Sequence, residues 1–439
     1  MISCIITASL VSSSTTTSTF YISGGLYPGA PAYTVWAEAD GNYYAKDANG
    51  LIAFYGTNAS DVIINTVLAA YGRETFIAKG TYALTSPIDL SDIPFNIVGE
   101  GVNATMIYYS GNCFVVNNTV RLQYGQQSMN NLKIEGISET GIGFYLHNSD
   151  RGLYTNLYIS NCSIGIKLID AIGNYFIKPY IKNCTIGVLL TTETTAQYTH
   201  NNQFNGGEIQ DSRGGNVVIN GNCWGNIFQG TVFEGRGQTL VWVQTTHIGP
   251  DDYVPAHNEF QYCWFEGVDL NTYLIMENLT AACTPYRFPR ATILSNCHFT
   301  SAQNYYLQLG DFCRFLGNII AGGGAGKVAN ITTAGSDIIM RDTTMQEYVS
   351  TIILNNTGYR NTFKNNYGLI TENTGTIGFA SNTSNTFYHN LASTPTIVLC
   401  SFSSSAVDGW TWTATTTQIT ITVTPSGSYT GYWEATYIP

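Results

Sequence analysis

One eleven-residue stretch of this chain occurs twice, twenty-two residues apart. Residues 158–168 read YISNCSIGIKL and residues 180–190 read YIKNCTIGVLL, and seven of the eleven positions are identical. A short repeat at a fixed period is typical of a unit that cannot bury its own apolar face and therefore stacks on a copy of itself. Within each copy the apolar residues alternate or form β-branched pairs without helical spacing, which predicts strand, turn and strand. The period fits one coil of a parallel β-helix.

A second signature, Asn-x-Phe, recurs along the chain. It begins at Asn174, Asn202, Asn226, Asn258, Asn361 and Asn385, and the first four are 28, 24 and 32 residues apart. These uneven gaps indicate coils of one basic size that carry insertions at their corners. We expect the largest insertions to be loops at residues 191–201 and 237–257, and loops on one side of a solenoid commonly form binding surfaces.

Five of the ten cysteines directly follow an asparagine. They are Cys113, Cys162, Cys184, Cys223 and Cys297. We interpret this pair as a corner of the coil, where the asparagine turns the chain and the cysteine enters the core. If Cys162 and Cys184 stack on successive coils, their Cα atoms lie about 4.8 Å apart, within reach of a disulfide. The alternative is a reduced stack of small apolar side chains.

The pattern divides the chain into four regions. Residues 1–32 are rich in Ser and Thr and predict an extended N-terminal arm that pairs with its own body or with a neighbouring copy. Residues 33–95 predict a hairpin, one helix and the first strands of the solenoid. Residues 96–395 predict the parallel β-helix. Residues 396–439 predict an antiparallel β cap, in which 415–423 and 431–438 form a hairpin around a PSGS turn at 425–428.

The helix is predicted between Ser60 and Tyr71, with Asn58 or Ser60 as its N-cap. Its apolar residues at helical spacing are Val62, Ile63, Val67 and Leu68. A lone amphipathic helix before a solenoid is suited to cover the open end, where strand edges would otherwise be exposed.

The stretch FIAKGTYALTSPIDL at residues 76–90, followed by IVGEG at 97–101, resembles the first coils of a known group. This group is the pectin-lyase-like right-handed β-helix proteins, which include pectate lyases, polygalacturonases and viral tailspikes. The resemblance implies an all-β fold, a single-stranded right-handed parallel β-helix, and the trimeric assembly of the tailspike-like members. The N-T-D and R-I-K elements of polygalacturonases are missing from this sequence, which argues against activity on plant polysaccharides.

Composition limits the classes of partner. The formal net charge is -11 with only 18 Lys and Arg residues, so the sequence offers no basic stripe and predicts no nucleic-acid partner. No apolar run approaches the roughly twenty residues that span a bilayer, so we predict no membrane span. Charged residues make up 11% of the chain, and Thr, Ser, Asn and Gly supply the polar positions, which suits stacked strands.

Three glutamates form the best candidate for catalytic chemistry, namely Glu208 in GGEIQD, Glu234 in VFEGRG and Glu266 in WFEGVD. Glu234 and Glu266 each lie eight residues after the asparagine of an Asn-x-Phe motif, so we expect them at the same corner on adjacent coils. Two carboxyl groups about 5 to 5.5 Å apart have the geometry of a retaining glycosidase. The alternative is structural, with Phe in the core, Glu in water and Gly in the turn.

Histidines and aromatic residues form a second candidate site within residues 237–257. Trp242, His247, Tyr253 and His257 are predicted to bind a glycan, with the aromatic rings stacked on the apolar face of a sugar. The spacing of the histidines with Asp251 and Asp252 matches no established ligand motif, so we predict no metal and no cofactor.

Two main hypotheses of function follow. The first is a structural or adhesive subunit of a virion or cell-surface appendage, which assembles as a homo-oligomer, a trimer or a filament, and contacts surface glycans outside the cell. The second is a tailspike-like polysaccharide depolymerase, a glycoside hydrolase or a lyase, that acts through the glutamates. A monomeric secreted adhesin or lectin is a third possibility.

Overall fold

The computed structural model of this 439-residue chain describes most of the protein between residues 31 and 436. The described residues are 31–119, 126–194, 197–235, 239–248, 251–253, 255–267, 272–279, 291–301, 305–309, 312–322, 327–333, 338–345, 349–356, 362–364, 372–388, 394–403, 407–415 and 418–436. The predicted N-terminal arm therefore lies almost wholly outside the described residues.

The described chain is all-β apart from one helix. The N-terminal elements are β1 (Tyr33–Ala37), β2 (Tyr43–Asp47), β3 (Ile52–Gly56) and α1 (Ala59–Ala70). The first coil strands are β4 (Glu74–Ile77), β5 (Gly80–Ala83), β6 (Ile88–Asp89), β7 (Phe95–Gly99), β8 (Thr105–Tyr109), β9 (Phe114–Asn117), β10 (Gln127–Gly136), β11 (Ile142–His147), β12 (Leu153–Ser160), β13 (Ile164–Ile169), β14 (Tyr175–Ile177), β15 (Tyr180–Lys182) and β16 (Ile186–Thr191). The middle coils contain β17 (Thr199–His200), β18 (Gln203–Asn205), β19 (Glu208–Gln210), β20 (Val217–Asn220), β21 (Cys223–Trp224), β22 (Ile227–Gln229), β23 (Val232–Gly235), β24 (Thr239–Ile248), β25 (Asp251–Tyr253), β26 (Glu259–Gln261), β27 (Trp264–Gly267) and β28 (Thr272–Leu279). The last coils contain β29 (Ile293–Ser295), β30 (His298–Ser301), β31 (Tyr305–Leu309), β32 (Arg314–Leu316), β33 (Ile319–Gly322), β34 (Lys327–Thr333), β35 (Ile339–Arg341), β36 (Thr344–Met345), β37 (Val349–Asn356) and β38 (Thr362–Lys364). The C-terminal strands are β39 (Glu372–Tyr388), β40 (Ile397–Phe402), β41 (Gly409–Ala414) and β42 (Gln418–Thr436).

The coil strands form two parallel walls. The first wall is a 24-stranded sheet in which equivalent strands of successive coils pair in register, as β15 pairs with β19, β19 with β23 and β23 with β27. The second wall is a 12-stranded sheet that runs from β6 through β13 and β16 to β37. This stacking confirms the predicted fold class, a parallel β-helix, and the resemblance to the pectin-lyase-like group at the level of the fold.

The repeated eleven residues occupy two consecutive coils, as predicted. Tyr158 pairs with Tyr180, and Ile164 pairs with Ile186, each one coil apart. Each copy turns at an asparagine in the left-handed region, where asparagine is the best tolerated residue after glycine, with φ of 57° at Asn161 and 54° at Asn183. The next residue, Cys162 or Cys184, is buried.

The glycine of each repeated stretch lies close to the next coil, as Gly165 does to Cys184. A Cβ added to Gly165 would lie 3.5 Å from the sulfur of Cys184, 2.6 Å from the carbonyl oxygen of Gly187 and 2.7 Å from the Cγ2 atom of Ile181. Glycine is therefore required where one coil approaches the next. Cys162 and Cys184 contact each other as free thiols, so the reduced alternative describes this structure.

A buried amide ladder runs through the Asn-x-Phe motifs. Asn174 donates from its side chain to Asn202 over 2.9 Å, Asn202 donates to Asn226 over 3.0 Å, and Asn226 donates to Asn258 over 3.0 Å. All four side chains are fully buried. Two residues later, the phenylalanines stack inside the coil with ring centroids 4.6 to 5.1 Å apart. These contacts set the vertical register of the middle coils.

Helix α1 begins one residue before its predicted start and ends one residue before its predicted end. The side chain of Asn58 accepts a hydrogen bond from the backbone of Ser60, so Asn58 is the N-cap. Val62, Ile63 and Val67 are buried, and the helix packs against β1 to β7. The prediction was wrong for Leu68, which is 46% exposed because it lies about 100° around the helix from Val67.

The C-terminal strands form a separate antiparallel sheet, and it corrects the predicted hairpin. Residues 418–436 form one continuous strand, β42, which pairs with β39, β40 and β41. Pro425 and Ser426 lie at a register irregularity against β39. Neither residue has a partner in that strand, so the N–H that proline lacks is not needed there for a hydrogen bond. The sheet also begins at Glu372 rather than at residue 396, so Asn385 belongs to it and not to the ladder. Asn361 lies outside the described residues.

The predicted loop at residues 237–257 is mainly a strand. Its segment Thr239–Ile248 is β24, which pairs in parallel with β20 and β28 in the second wall. The short strand β25 then folds back against the end of β24. With a single helix of twelve residues, the described chain contains no helix long and apolar enough to cross a bilayer.

Candidate functional site

The outward face of the first wall carries two adjacent rows of side chains, which we call the outer strip. The first row passes through consecutive coils as Tyr158, Tyr180, Glu208, Val232, Trp264 and His298. The second row, two residues further along each strand, is Ser160, Lys182, Gln210, Glu234, Glu266 and Thr300. Strand neighbours lie about 4.8 Å apart, so five coil steps give the strip a length of about 24 Å.

One end of the outer strip is aromatic and closely packed. The rings of Tyr158 and Tyr180 are stacked with centroids 4.7 Å apart and an interplanar angle of 27°. Lys133 places its ammonium 5.1 Å from the centre of the Tyr158 ring and forms an ion pair of 2.6 Å with Glu135. The side-chain amide of Gln210 donates to the hydroxyl oxygen of Tyr180. These contacts fix the two rings on the surface.

The other end of the strip carries a second aromatic pair. Trp264 is 41% exposed, and its ring meets the ring of His298 edge to face with centroids 4.0 Å apart. The indole N–H of Trp264 donates to Oε2 of Glu266 over 3.2 Å. Burial lowers the pKa of His298 below its ordinary value, although the nearby Glu266 acts in the opposite direction. The lowered pKa favours the neutral imidazole.

The three predicted glutamates lie between these aromatic pairs. Glu234 and Glu266 are direct register partners on adjacent coils, as the sequence spacing predicts. Glu208 is one coil before Glu234 and in the neighbouring row, opposite Val232. Burial raises the pKa of Glu208, and the negative charge of Glu234 raises it further, while Lys182 opposes both effects. The structure thus places the three carboxyl groups on three consecutive coils, and their catalytic role stays a prediction.

The second predicted site is distributed over the second wall and a corner. Trp242 lies on β24, half-buried, where it pairs with Val218 of the preceding coil. The backbone of His247 lies opposite Asp252, and that of Tyr253 lies opposite Thr246. His257 is on the corner directly before Asn258, the last asparagine of the amide ladder, and has a φ of 52°. The glycan-binding role of these four residues stays a prediction.

No group of three or more His, Cys, Asp and Glu residues that could hold a metal ion occurs in the described part of the chain. The oxygen and nitrogen ligands that a metal would need are instead spread along the strip, where each strand contributes a single outward residue per row. The arrangement presents ring faces and carboxylates along one line, which suits contact with an extended ligand.

Sequence reasoning missed the aromatic members of the strip. The repeat identifies Tyr158 and Tyr180 only as copied positions, and nothing in the sequence alone singles out His298. Alignment of coil strands by their inward residues, such as Ile159, Ile181 and Ile209, would have placed each preceding residue in one outward row. The signal was present in the strand alternation but needed the register between coils.

No protein-family model and no curated protein sequence matches this chain. One solved structure with a similar fold is a tailspike of Acinetobacter baumannii bacteriophage AP22 in complex with A. baumannii capsular saccharide. It is 11% identical in sequence, and the match covers 87% of this chain and 94% of that chain at a TM-score of 0.39. Another is the Dettilon tailspike protein, 10% identical, with 92% and 94% covered at a TM-score of 0.44. An alginate lyase from Paenibacillus is 13% identical, with 67% and 97% covered at a TM-score of 0.44. Tailspikes and polysaccharide-degrading enzymes are therefore among the structures that this chain is similar to, and at these values the likeness assigns neither substrate nor activity.

Proposed function

We propose that this chain is a tailspike- or fibre-like subunit of a virion or cell-surface appendage that binds a surface polysaccharide along the outer strip. The observation that carries the proposal is the arrangement of that strip, with two aromatic pairs, Tyr158–Tyr180 and Trp264–His298, flanking the glutamates. A polysaccharide is the ligand whose repeated apolar ring faces and hydroxyl groups match rings and carboxylates spaced along about 24 Å.

The rigidity of the wall supports this proposal. Each side chain of the strip projects from a strand that is held by parallel pairing with the strands of neighbouring coils. Inward-facing residues of the same strands are completely buried, as at Ile159, Ile181, Phe233 and Phe265. Because this surface is already ordered, binding of a ligand does not carry the entropic cost of ordering its side chains. Trp242, His247, Tyr253 and His257 are proposed as a further glycan contact on the second wall.

We further propose that the functional form is a homo-oligomer, a trimer or a filament, that acts outside the cell. Residues 1–32 are β-prone and nearly uncharged, which suits an arm that adds a strand to a neighbouring copy. Light scattering of the full chain beside a chain that starts near Pro31 tests this part. The proposal predicts a smaller assembly after the deletion, with β-rich circular dichroism intact, and an unaltered oligomer would refute the role of the arm.

Depolymerase activity is the second candidate function, because burial raises the pKa of one carboxyl group of the strip. Glu208 has a raised pKa and is suited to donate a proton, while Glu234 and Glu266 on the adjacent coils are suited to act as base or nucleophile. Release of reducing sugar from a bound polysaccharide should be abolished by Glu234→Gln and Glu266→Gln. Unchanged release in both variants would exclude these residues.

Binding is tested with the surface polysaccharide fraction of candidate host bacteria, immobilised for surface plasmon resonance. Trp264→Ala removes the exposed ring of the strip and is expected to weaken binding by about twofold to tenfold, since one stacked aromatic ring contributes about 0.5–1.5 kcal/mol beyond the area that it buries. Tyr388→Ala is the matched control, because Tyr388 is 66% exposed on the antiparallel sheet, away from the strip. Equal losses in the two variants would contradict the proposed site.

A further inference from the structure

We propose that the outer strip takes an uncharged polysaccharide and rejects polymers rich in uronic acid. This inference rests on the proposed function, because it names the class of glycan that the same strip binds. It follows from the balance of charges along the two rows and from which of those charges are already paired.

Among the residues that the structure describes, the cations near the strip are paired, with one exception at its rim. Lys133 forms its ion pair with Glu135, and Lys182 lies 3.7 Å from the carboxylate of Asp211. Arg213 is bonded to Glu139. Lys178 is exposed on the neighbouring corner, two residues before Tyr180, at the end of the strip opposite Glu266.

The anions of the strip exceed these cations. Glu208, Glu234 and Glu266 have no cation within ion-pair distance among the described residues. With all three carboxyl groups ionised, counting Lys178 with the strip leaves an excess of two negative charges among the described residues, three minus one. The pKa of His298, the remaining basic residue of the rows, is lowered by burial, which favours its uncharged form.

A uronate polymer carries one carboxylate on each acidic sugar, and a chain laid along the strip would bring these groups within a few ångströms of the glutamates. Like charges at that distance repel, and the repulsion is stronger beside the partly buried Glu208 than in open water. An uncharged hexose or N-acetylhexosamine offers hydroxyl and amide hydrogens instead, which carboxylates accept as charge-assisted hydrogen bonds.

The class of glycan also decides the class of any cleavage reaction on this strip. Elimination removes the proton next to a uronate carboxylate, and an uncharged polysaccharide has no such carboxylate. Cleavage would therefore be hydrolysis. Water would add its hydroxyl group to the anomeric carbon as the glycosidic bond breaks, and its proton would end on the oxygen of the leaving sugar.

The experiment measures binding of the full chain to a panel of purified bacterial polysaccharides, half uncharged and half containing uronic acid, at low salt and pH 7. The inference predicts that the polymers bound are uncharged. Binding mainly to uronate polymers would overturn the inference while leaving the proposed function intact. Binding to no polymer in the panel, together with no binding to whole-cell surface fractions, would overturn the proposed function and the inference with it.

A charge-matched pair of variants sharpens the test. The double variant Glu234→Gln, Glu266→Gln keeps the shape of the strip and should raise affinity for a uronate polymer at least tenfold, with the gain diminishing as salt is added. The control is Glu38→Gln with Glu434→Gln, two exposed glutamates that lie outside the two rows and form no ion pair among the described residues, so that their removal frees no cation. Equal gains in both double variants would show that net charge, rather than the strip, controls binding, and would overturn the inference.

Discussion

Replacement of Asn226 by alanine tests the amide ladder at its centre. The Oδ1 atom of Asn226 accepts from the backbone N–H of Asn202 over 3.1 Å and from its side-chain amide over 3.0 Å. Its own amide donates to the carbonyl oxygen of Thr199 over 3.1 Å and to Asn258 over 3.0 Å. Alanine removes all four bonds from a position with no exposure to water.

The expected loss follows from the groups left without a partner. Two donors of Asn202 would remain buried and unsatisfied, and each such group costs roughly 1–3 kcal/mol, so we expect a loss of about 4 kcal/mol in local stability. At about 1.4 kcal/mol per factor of ten, that is nearly a thousandfold. The loss should be local, because a solenoid is stabilised by contacts between neighbouring coils.

Hydrogen exchange measured by mass spectrometry reports this local opening. Backbone amides in β18, β22 and β26 should exchange nearly a thousand times faster in Asn226→Ala, and amides in β7 and β8 should be unaffected. Asn385→Ala is the matched control, because Asn385 also begins an Asn-x-Phe motif but bonds to no other asparagine of the described chain. Its side chain donates to the carbonyl oxygen of Gly378 and accepts from the adjacent backbone N–H of Thr386. Similar effects of the two replacements would refute the reasoning that stacking, rather than the motif itself, gives the asparagine its importance.

Three further results are expected. Gly165→Ala should lower the free energy of unfolding by about 1–3 kcal/mol, because its Cβ would lie 2.6 Å from a carbonyl oxygen, whereas Gly378→Ala, with open space around it, should be neutral in the same urea titration. Val67→Ser should cost about 2 kcal/mol or more through lost burial, and Leu68→Ser should change the thermal midpoint little; the reverse order would contradict the orientation of α1. Because the pKa of Glu208 is raised in the folded state, its stabilising contribution is present below the ordinary value of 4.5 and is lost as pH rises through the folded pKa. Glu208→Gln should therefore gain thermal stability over the parent chain between pH 4 and pH 7, and a difference that does not change with pH would contradict this sign.

The coil and its corner residues could be predicted because they depend on short-range chemistry. Asn161 and Asn183 turn the chain, the following cysteines are small enough for the core, and Gly165 permits the close approach of the next coil. The spacing of Glu234 and Glu266 from their asparagines predicted their stacking for the same reason. Each of these predictions depends only on residues within one coil and the adjacent coil.

The errors concern partners that are distant in sequence. The PSGS segment at 425–428 has the composition of a turn, but β42 continues through it because β39 provides a partner on both sides of the irregularity. Residues 239–248 were interpreted as a loop, although TLVWVQ alternates, because the partner strands β20 and β28 are not apparent from the segment itself. The aromatic rows of the outer strip likewise exist only once successive coils are in register.

Hydroxyl-radical footprinting of the full chain, with and without a host surface polysaccharide, tests the central claim most directly, because it reports the exposure of individual aromatic side chains. The account predicts that Trp264, Tyr158 and Tyr180 become protected when the polysaccharide is added, while Tyr388 and Tyr55, exposed elsewhere, remain as reactive as before. Protection confined to other surfaces, with Trp264 unchanged while the polysaccharide is bound, would contradict it.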